Sequence, residues 1–321
     1  MTLVFNHLKW VLLQAYVIHK FPNHPLQATS VNYKLIRKIK DDKFDAEELD
    51  QYTLLTQLGV RDLQVAVVDS ADNRLLFFED YIFNGLNSYD ELMVVLRSLY
   101  DSHELLMAGF WKGVIFSIKN NHLVQVPDSL FVQAAAEEYL RFNAQSDREK
   151  EETLFCRHHL SDAVTVFAIP RELHWWIGSL YPNSAVRFIH QSASLIEGVL
   201  NYARSYEGTP LYVYVDRFKL HILYIKNNTL VYYNQFVINQ FADYIKYIML
   251  VMKGLNLDQS TSQVMLWGYI GKNSPHYQEF YKYIHNVVFG ERPAHLKFGY
   301  MFDEVQEHHF FDLYSMNLFK S

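Results

Sequence analysis

The sequence predicts an α/β protein built from one unit used twice, with a smaller piece inserted in the first copy. Three observations lead there. The stretch Val215 to Asn239, VDRFKLHILYIKNNTLVYYNQFVIN, falls without a gap on Val60 to Asn84, VRDLQVAVVDSADNRLLFFEDYIFN. Val215 meets Val60, Phe218 meets Leu63 and Leu220 meets Val65; further on Asn228 meets Asn73, Leu230 meets Leu75 and Phe236 meets Tyr81. Self-similarity of this kind marks an internal duplication. Each copy then passes from strand-like alternation into a helix-like stretch. Finally, Glu207-Gly208-Thr209-Pro210 is the clearest run of breakers in the chain, and it places the boundary between the copies.

The elements follow in order. Lys34 to Gln51 reads as a charged lead-in in which Arg37, Lys38 and Lys40 are answered by nearby acids, a solvated face. Strands are predicted at Tyr52–Leu58, Asp62–Asp69 and Arg74–Phe83, with Gly59 at the first turn. Ser88, with Glu91 three residues on, forms a capping box that opens the helix Tyr89–Tyr100. Gly113 to Val126 reads as a further hairpin turning at Asn120-Asn121, followed by a helix from Ser129 to Asn143. Strands at Thr153–His158 and Ala163–Ile169 come next, then a helix headed by Pro170, where the missing N–H costs nothing. A strand at Ala185–His190 leads to the helix Leu195–Tyr206. The second copy runs through a strand at Leu211–Val215, the hairpin turning at Asn227-Asn228, a helix from Phe241 to Lys253, a strand Val264–Trp267 and a helix His276–Val288. A short strand Leu296–Tyr300 and an aromatic tail end the prediction. The expected organisation is an N-terminal extension at 1–33, a first lobe at 34–207 with an inserted subdomain at about 112–160, and a second lobe at 208–321.

Composition bounds the function. The 321 residues suit about two domains of roughly 100–200 residues each. Half are apolar and 16% aromatic, enough for a substantial core. A net charge of −6 argues against general nucleic-acid binding, which needs a basic field. Cys156 is the single cysteine; it excludes an intrachain disulfide and suits a cytoplasmic location. Trp10 to Ile18 is too short to span a bilayer, so no transmembrane segment is expected. Met1 to Lys20 admits three readings: an amphipathic helix, a poor signal, or an extension outside the fold; the last is favoured because the regular pattern begins only near Tyr33.

A meander of three strands, a helix, a strand and a helix, occurring twice, describes a duplicated ribonuclease-H-like unit. That is the plan of the actin-like ATPase superfamily. The stretch VFAIPRELHWWIGSLYPNSAVRFIHQSASLIEGVL is similar to the segment leading into the second half of the actin-like pilus-assembly and cell-division proteins. Through FDAEELDQY, VVDSADNRLLFFEDYIF, VPDSLFVQAAAEEYLRFN and VFAIPREL, the chain resembles a bacterial family of unknown function placed in that superfamily, from about Lys34 to the end.

The resemblance implies a nucleotide cleft between the halves, with an Asp-any-Gly turn in each. Here the first triplet is Gln57-Leu58-Gly59 and the second, in the ungapped register, is Tyr212-Val213-Tyr214. An amide cannot supply the charge that holds Mg²⁺. On the adenosine side stands Trp267-Gly268-Tyr269-Ile270-Gly271. The cleft candidates are therefore Gln57, Gly59, Asp216, Gly268 and Gly271, with Asp69 a further nearby carboxylate, although a turn aspartate before Arg217 is more often solvated. The adjacent pairs His158-His159 and His308-His309 cannot each share one metal from a strand, and Cys156 reads as a buried inert thiol. Trp175 and Trp176 cannot both face one narrow helix side, which makes them candidates for contact with a partner. No catalytic residue and no metal ligand is assigned. The expectation is a non-enzymatic interaction protein, a pseudo-ATPase that docks an unknown protein or self-associates; the alternative is a switch that binds ATP and Mg²⁺ in the cleft.

Overall fold

The computed structural model describes residues 33–320 except 145, 146, 148 and 272. The expected N-terminal extension thus lies outside the described residues, apart from Tyr33.

Four strands open the chain: β1 (Tyr33–Lys40), β2 (Tyr52–Leu58), β3 (Asp62–Asp69) and β4 (Arg74–Phe83). The last three coincide with the predicted bounds. The charged lead-in contains a strand that was not anticipated. β1 lies at the sheet edge, antiparallel to β4, with most of its side chains exposed, so its sequence carries little apolar signal. Its Lys38 reaches back to the buried Glu79 at 2.9 Å. Helices α1 (Tyr89–Asp101) and α2 (Glu104–Met107) follow, and Ser88 caps α1 by accepting from the Glu91 N–H, as the sequence suggests.

The prediction of a hairpin at Gly113 to Val126 is corrected. β5 (Gly113–Ile118) runs parallel to β2 as an inner strand of the main sheet, whereas β6 (Leu123–Pro127) pairs with β8 (Ala163–Pro170) in a separate small sheet ordered β6-β8-β7, where β7 is Glu151–Arg157. Backbone geometry explains the difference. Asn227 and Asn228 both take positive φ, 52° and 58°, as a type I′ hairpin requires, and Asn120 and Asn121 do not. The predicted helix from Ser129 is also shorter, α3 (Ala136–Asn143). Then come α4 (Arg171–Leu180), β9 (Val186–His190) and α5 (Gln191–Ala203).

The second half holds β10 (Leu211–Val215), β11 (Lys219–Lys226), β12 (Thr229–Val237), α6 (Phe241–Gly254), β13 (Val264–Gly268), α7 (Pro275–Tyr281) and β14 (Val287–Phe289). Its sheet is ordered β12-β11-β10-β13-β14, and β4-β3-β2-β5-β9 in the first half repeats that order with the same strand directions. The bulge repeats as well. The pairing slips between Val67↔Phe77 and Val68↔Leu75 in one half, and between Tyr224↔Tyr232 and Ile225↔Leu230 in the other. The ungapped match is therefore right for β4 against β12, where Leu75 does meet Leu230, but two residues out for β3 against β11, where Val67 meets Tyr224. The cause is the connecting loop, Ser70–Asn73 in the first half and only Asn227-Asn228 in the second. A shift of two keeps every side chain on its own face, which is why the pattern matched in either register.

The end of the chain does not stay with the second lobe. β15 (Lys297–Phe298) pairs with β4, and Phe302, Phe310, Leu313 and Tyr314 enter the apolar core of the first sheet. The short helix α8 (Phe311–Ser315) belongs to this returning segment. α5, buried from Gln191 to Leu200, packs with Phe311 against one face of the second sheet, while α6 covers the other. The returning segment and α5 thus both border the gap between the sheets.

Candidate functional site

The first turn of each half points into this gap. In both, the residue after the first strand donates to the carbonyl three positions on: Gly59 to Asp62 at 2.8 Å, and Asp216 to Lys219 at 2.9 Å. Gly59 therefore corresponds to Asp216, and Gln57 to Tyr214. This corrects the second triplet to Tyr214-Val215-Asp216. The fourth strands agree: the Lys119 N–H donates to the Leu58 carbonyl at 2.8 Å and the Tyr269 N–H to the Val215 carbonyl at 2.7 Å, so Lys119 corresponds to Tyr269.

These residues join one buried polar cluster. Lys119 Nζ donates to Asp62 Oδ2 (2.9 Å) and across the gap to Asp216 Oδ1 (3.4 Å). Arg217, from the second half, reaches back to Asp62 (3.1 Å) and Asp80 (2.5 Å), with its guanidinium 4.4 Å from the centre of the Tyr269 ring. Gln191 of α5 donates to both Asp216 (2.9 Å) and Asp312 (2.8 Å). Asp312, from α8, also accepts from Gln57 Nε2 (2.7 Å) and the Tyr214 hydroxyl (2.5 Å). Gln57 is held in turn by Ser117 (3.1 Å) and Gln64 (3.1 Å). Beside the cluster, Lys219 Nζ and Gln235 Nε2 each donate to the Asn120 carbonyl at 2.9 Å.

The electrostatics follow from burial and pairing. Burial alone would raise Asp216, but Lys119, His221, Gln191 and the Arg217 N–H hold its carboxyl below the usual range. Burial likewise works against the Lys119 and Arg217 cations. The carboxylates opposite Lys119, and Tyr269 with Asp80 opposite Arg217, nevertheless raise both above their ordinary values. Asp312 is pushed up by burial, with Asp216 adding to it, and Asp80 is pushed up by burial against the pull of Arg217. Two cations face four carboxylates here, and Asp312 and Asp80 are the two whose carboxyls are pushed up. Lys219 lacks so close a carboxylate, and burial brings it down to about 8.

Of the predicted cleft residues, Gln57, Gly59 and Asp216 come together here. The expectation that Asp216 is solvated is overturned: it is 5% exposed and lies in the cluster beside Arg217. A Cβ at Gly59 would sit 2.1 Å from Asp62 Oδ1, so the carboxylate already covers that glycine. Gly268 has φ +93°, and a Cβ there would stand 2.1 Å from the Val215 carbonyl oxygen, so the chain crosses β10 only because no side chain is present. Gly271 is under no such constraint. Asp69 is not near the cluster; it lies at the other end of β3 and caps the hairpin through the Ala71 and Asp72 N–H groups. A pocket of about 290 Å³ adjoins the cluster, lined among others by Arg217, Phe218, Phe241, Tyr244 and Tyr269.

Trp175 is 63% exposed on α4, whereas Trp176 is buried against Tyr100 at 4.9 Å and is not available to a partner. Cys156 is buried, and burial raises its thiol. The His158 side chain is buried with Thr165 at 2.7 Å and is brought down to about 3 by burial. Among the described residues, no group of three or more His, Cys, Asp or Glu could hold a metal ion. Nor is any helix among them long and apolar enough to cross a membrane.

Sequence reasoning missed Asp62, Lys119, Gln191, Arg217 and Asp312. The available signals were a lysine closing the apolar run VIFSI, and an aspartate inside the aromatic run FFDLY. Both are charges where a buried strand or helix would otherwise exclude them.

Comparison with known proteins accords with this architecture. A crystal structure from Bacteroides thetaiotaomicron, of a protein with actin-like ATPase fold and unknown function, matches with a TM-score of 0.72 at 21% identity, covering 86% of this chain and 99% of that one. The PilM-PilN type IV pilus biogenesis complex contains a chain matched with a TM-score of 0.55 at 10% identity, covering 83% and 97%. No curated protein sequence matches. The fold is that of the actin-like ATPases. A family model described as protein of unknown function (DUF3822) matches residues 41–287, and the chain belongs to that family.

Proposed function

We propose that this protein is a non-enzymatic interaction protein, an actin-like body whose interlobe cleft is closed by its own side chains. The observation that carries the reading is the convergence on Asp312. The two positions where the resemblance implies a catalytic aspartate hold Gln57 and Tyr214, and both donate to this one carboxylate from the returning C-terminal segment. The neighbouring carboxylates are engaged by Lys119, Arg217 and Gln191. Such residues do not suit a Mg²⁺–phosphate group, which needs free oxygen ligands and room for waters. Pinned across the gap, the two lobes form a rigid platform for a protein partner or a second copy, with Trp175 as an exposed anchor. That a similar fold occurs in the PilM-PilN complex supports a partner-binding role. A cytoplasmic location fits the single buried cysteine.

One observation favours a second reading, an ATP-binding switch: the pocket beside Gly268 and Tyr269 is aromatic and includes the Arg217 guanidinium. A thermal-shift titration with ATP, ADP and Mg²⁺ separates the two, because a ligand of the native state raises the melting temperature by mass action. The scaffold reading expects no dose-dependent rise at millimolar nucleotide; a saturable rise overturns it.

A further inference from the structure

A cavity of about 670 Å³ lies away from the cluster, between the main sheet, the small sheet and the C-terminal end of the described chain. Its volume is within the roughly 300–1,000 Å³ of small-molecule sites. Three cations line it from separate parts of the chain: Lys112 just before β5, Arg187 on β9, and Lys320. None of the lining side chains is acidic. The Lys112 and Arg187 side chains make no hydrogen bond or ion pair with the described residues. Lys320 is held by the Ser70 carbonyl at 3.3 Å and by Asn73. Burial, and after it the charge of Lys112, bring Lys320 below its ordinary value, while Asp69 opposes them. The one lining histidine, His174, is already engaged by Glu152 at 2.7 Å. Hydroxyls of Thr53, Ser70 and Thr153 stand in the same wall, and Leu154, Phe155, Val186, Phe188 and Phe319 supply an apolar side. β7 and β9 are each the last strand of their sheet, so edge backbone groups border the cavity too.

Three cations and no acidic side chain around a partly apolar hollow set a field that favours an anion with an apolar body. We propose that this cavity binds a small amphipathic anion, a carboxylate or phosphate monoester carrying an apolar body, with the head on Lys112 and Arg187 and the body against the apolar side around Phe155. This site is independent of the interlobe cluster and stands whether or not the cleft takes nucleotide.

The test is calorimetric titration of the full chain with octyl phosphate, octanoate, octylamine and inorganic phosphate, all below micellar concentrations. The expected result is saturable binding of at least one octyl anion, none of octylamine, and weaker binding of inorganic phosphate, which lacks the apolar body. Arg187→Gln and Lys112→Gln each weaken the octyl anion by about tenfold, the loss of a charge-assisted hydrogen bond, with unchanged melting temperature because both side chains are exposed. Silence with both octyl anions, equal binding of octylamine, inorganic phosphate as tight as octyl phosphate, or wild-type affinity in both variants would each overturn the proposal.

Discussion

The two halves agree in their strands and disagree at their turns. Strand order, direction and even the bulge between the second and third strands are repeated. At the mouth of the gap the equivalent residues differ in kind: Gln57 against Tyr214, Gly59 against Asp216, Asp62 against Lys219, Lys119 against Tyr269. The pairs that cross the gap use these differences: Lys119 meets Asp216, while Arg217 meets Asp62 and Asp80. The repeated part serves each lobe alone, and the diverged part serves the pair.

The strongest way to break the comparison is to give one copy a neutral residue at its charged position. Lys119→Met leaves Asp62 and Asp216 without their shared cation. Removing one member of a buried ion pair costs about 3–5 kcal/mol, to be read from urea unfolding. A loss below about 1 kcal/mol means the cluster is hydrated and does not hold the lobes. Next in size is Gly268→Ala. Its counterpart in the first half is Ile118, which tolerates a side chain, whereas Gly268 has positive φ and meets the Val215 carbonyl. The expected cost is roughly 1–3 kcal/mol from the backbone conformation alone, with the contact adding to it.

A smaller effect sharpens the charge contrast between Asp62 and Lys219. Burial lowers Lys219 to about 8, so above that pH the folded protein binds fewer protons than the unfolded chain, and stability from this group rises as pH goes from about 8 toward its ordinary 10.5. Lys219→Met removes that rise; over pH 8–10 wild type should gain on the variant by about 1–2 kcal/mol in parallel urea titrations. Parallel curves for the two proteins would show that Lys219 stays charged and hydrated. Smallest of all, Gly271→Ala should change stability by no more than about 0.5 kcal/mol, since its Cβ would meet only the end of the Gln306 side chain, at an ordinary 3.8 Å. A larger loss would extend the constraint seen at Gly268 to the whole loop.

Local signals made much of the fold legible. The bounds of β2, β3 and β4, the Ser88 cap and the Asn227-Asn228 turn all depend on neighbours in sequence. β1 was hidden because an edge strand with exposed lysines resembles a solvated loop. Asn120-Asn121 misled because a turn dipeptide does not reveal its φ. The cluster was less legible still. Asp216 reads locally as a solvated turn residue and becomes buried only when Lys119 and Gln191 come to it from distant parts of the chain. Gln57 read as a lost carboxylate; its role depends on Asp312, which no spacing rule connects to it.

The separation of that last pair has a kinetic meaning. Gln57 and Asp312 are 255 positions apart, and β15 reaches β4 across a similar span. Contacts so distant in sequence form late, because a long loop must close before they contribute. During synthesis the strands of both sheets and α5 all emerge before the carboxylate that joins Gln57 to Tyr214. An incompletely made chain therefore already carries Lys119, Arg217 and Asp216, which meet across the gap, and still lacks the one carboxylate that ties Gln57 to Tyr214.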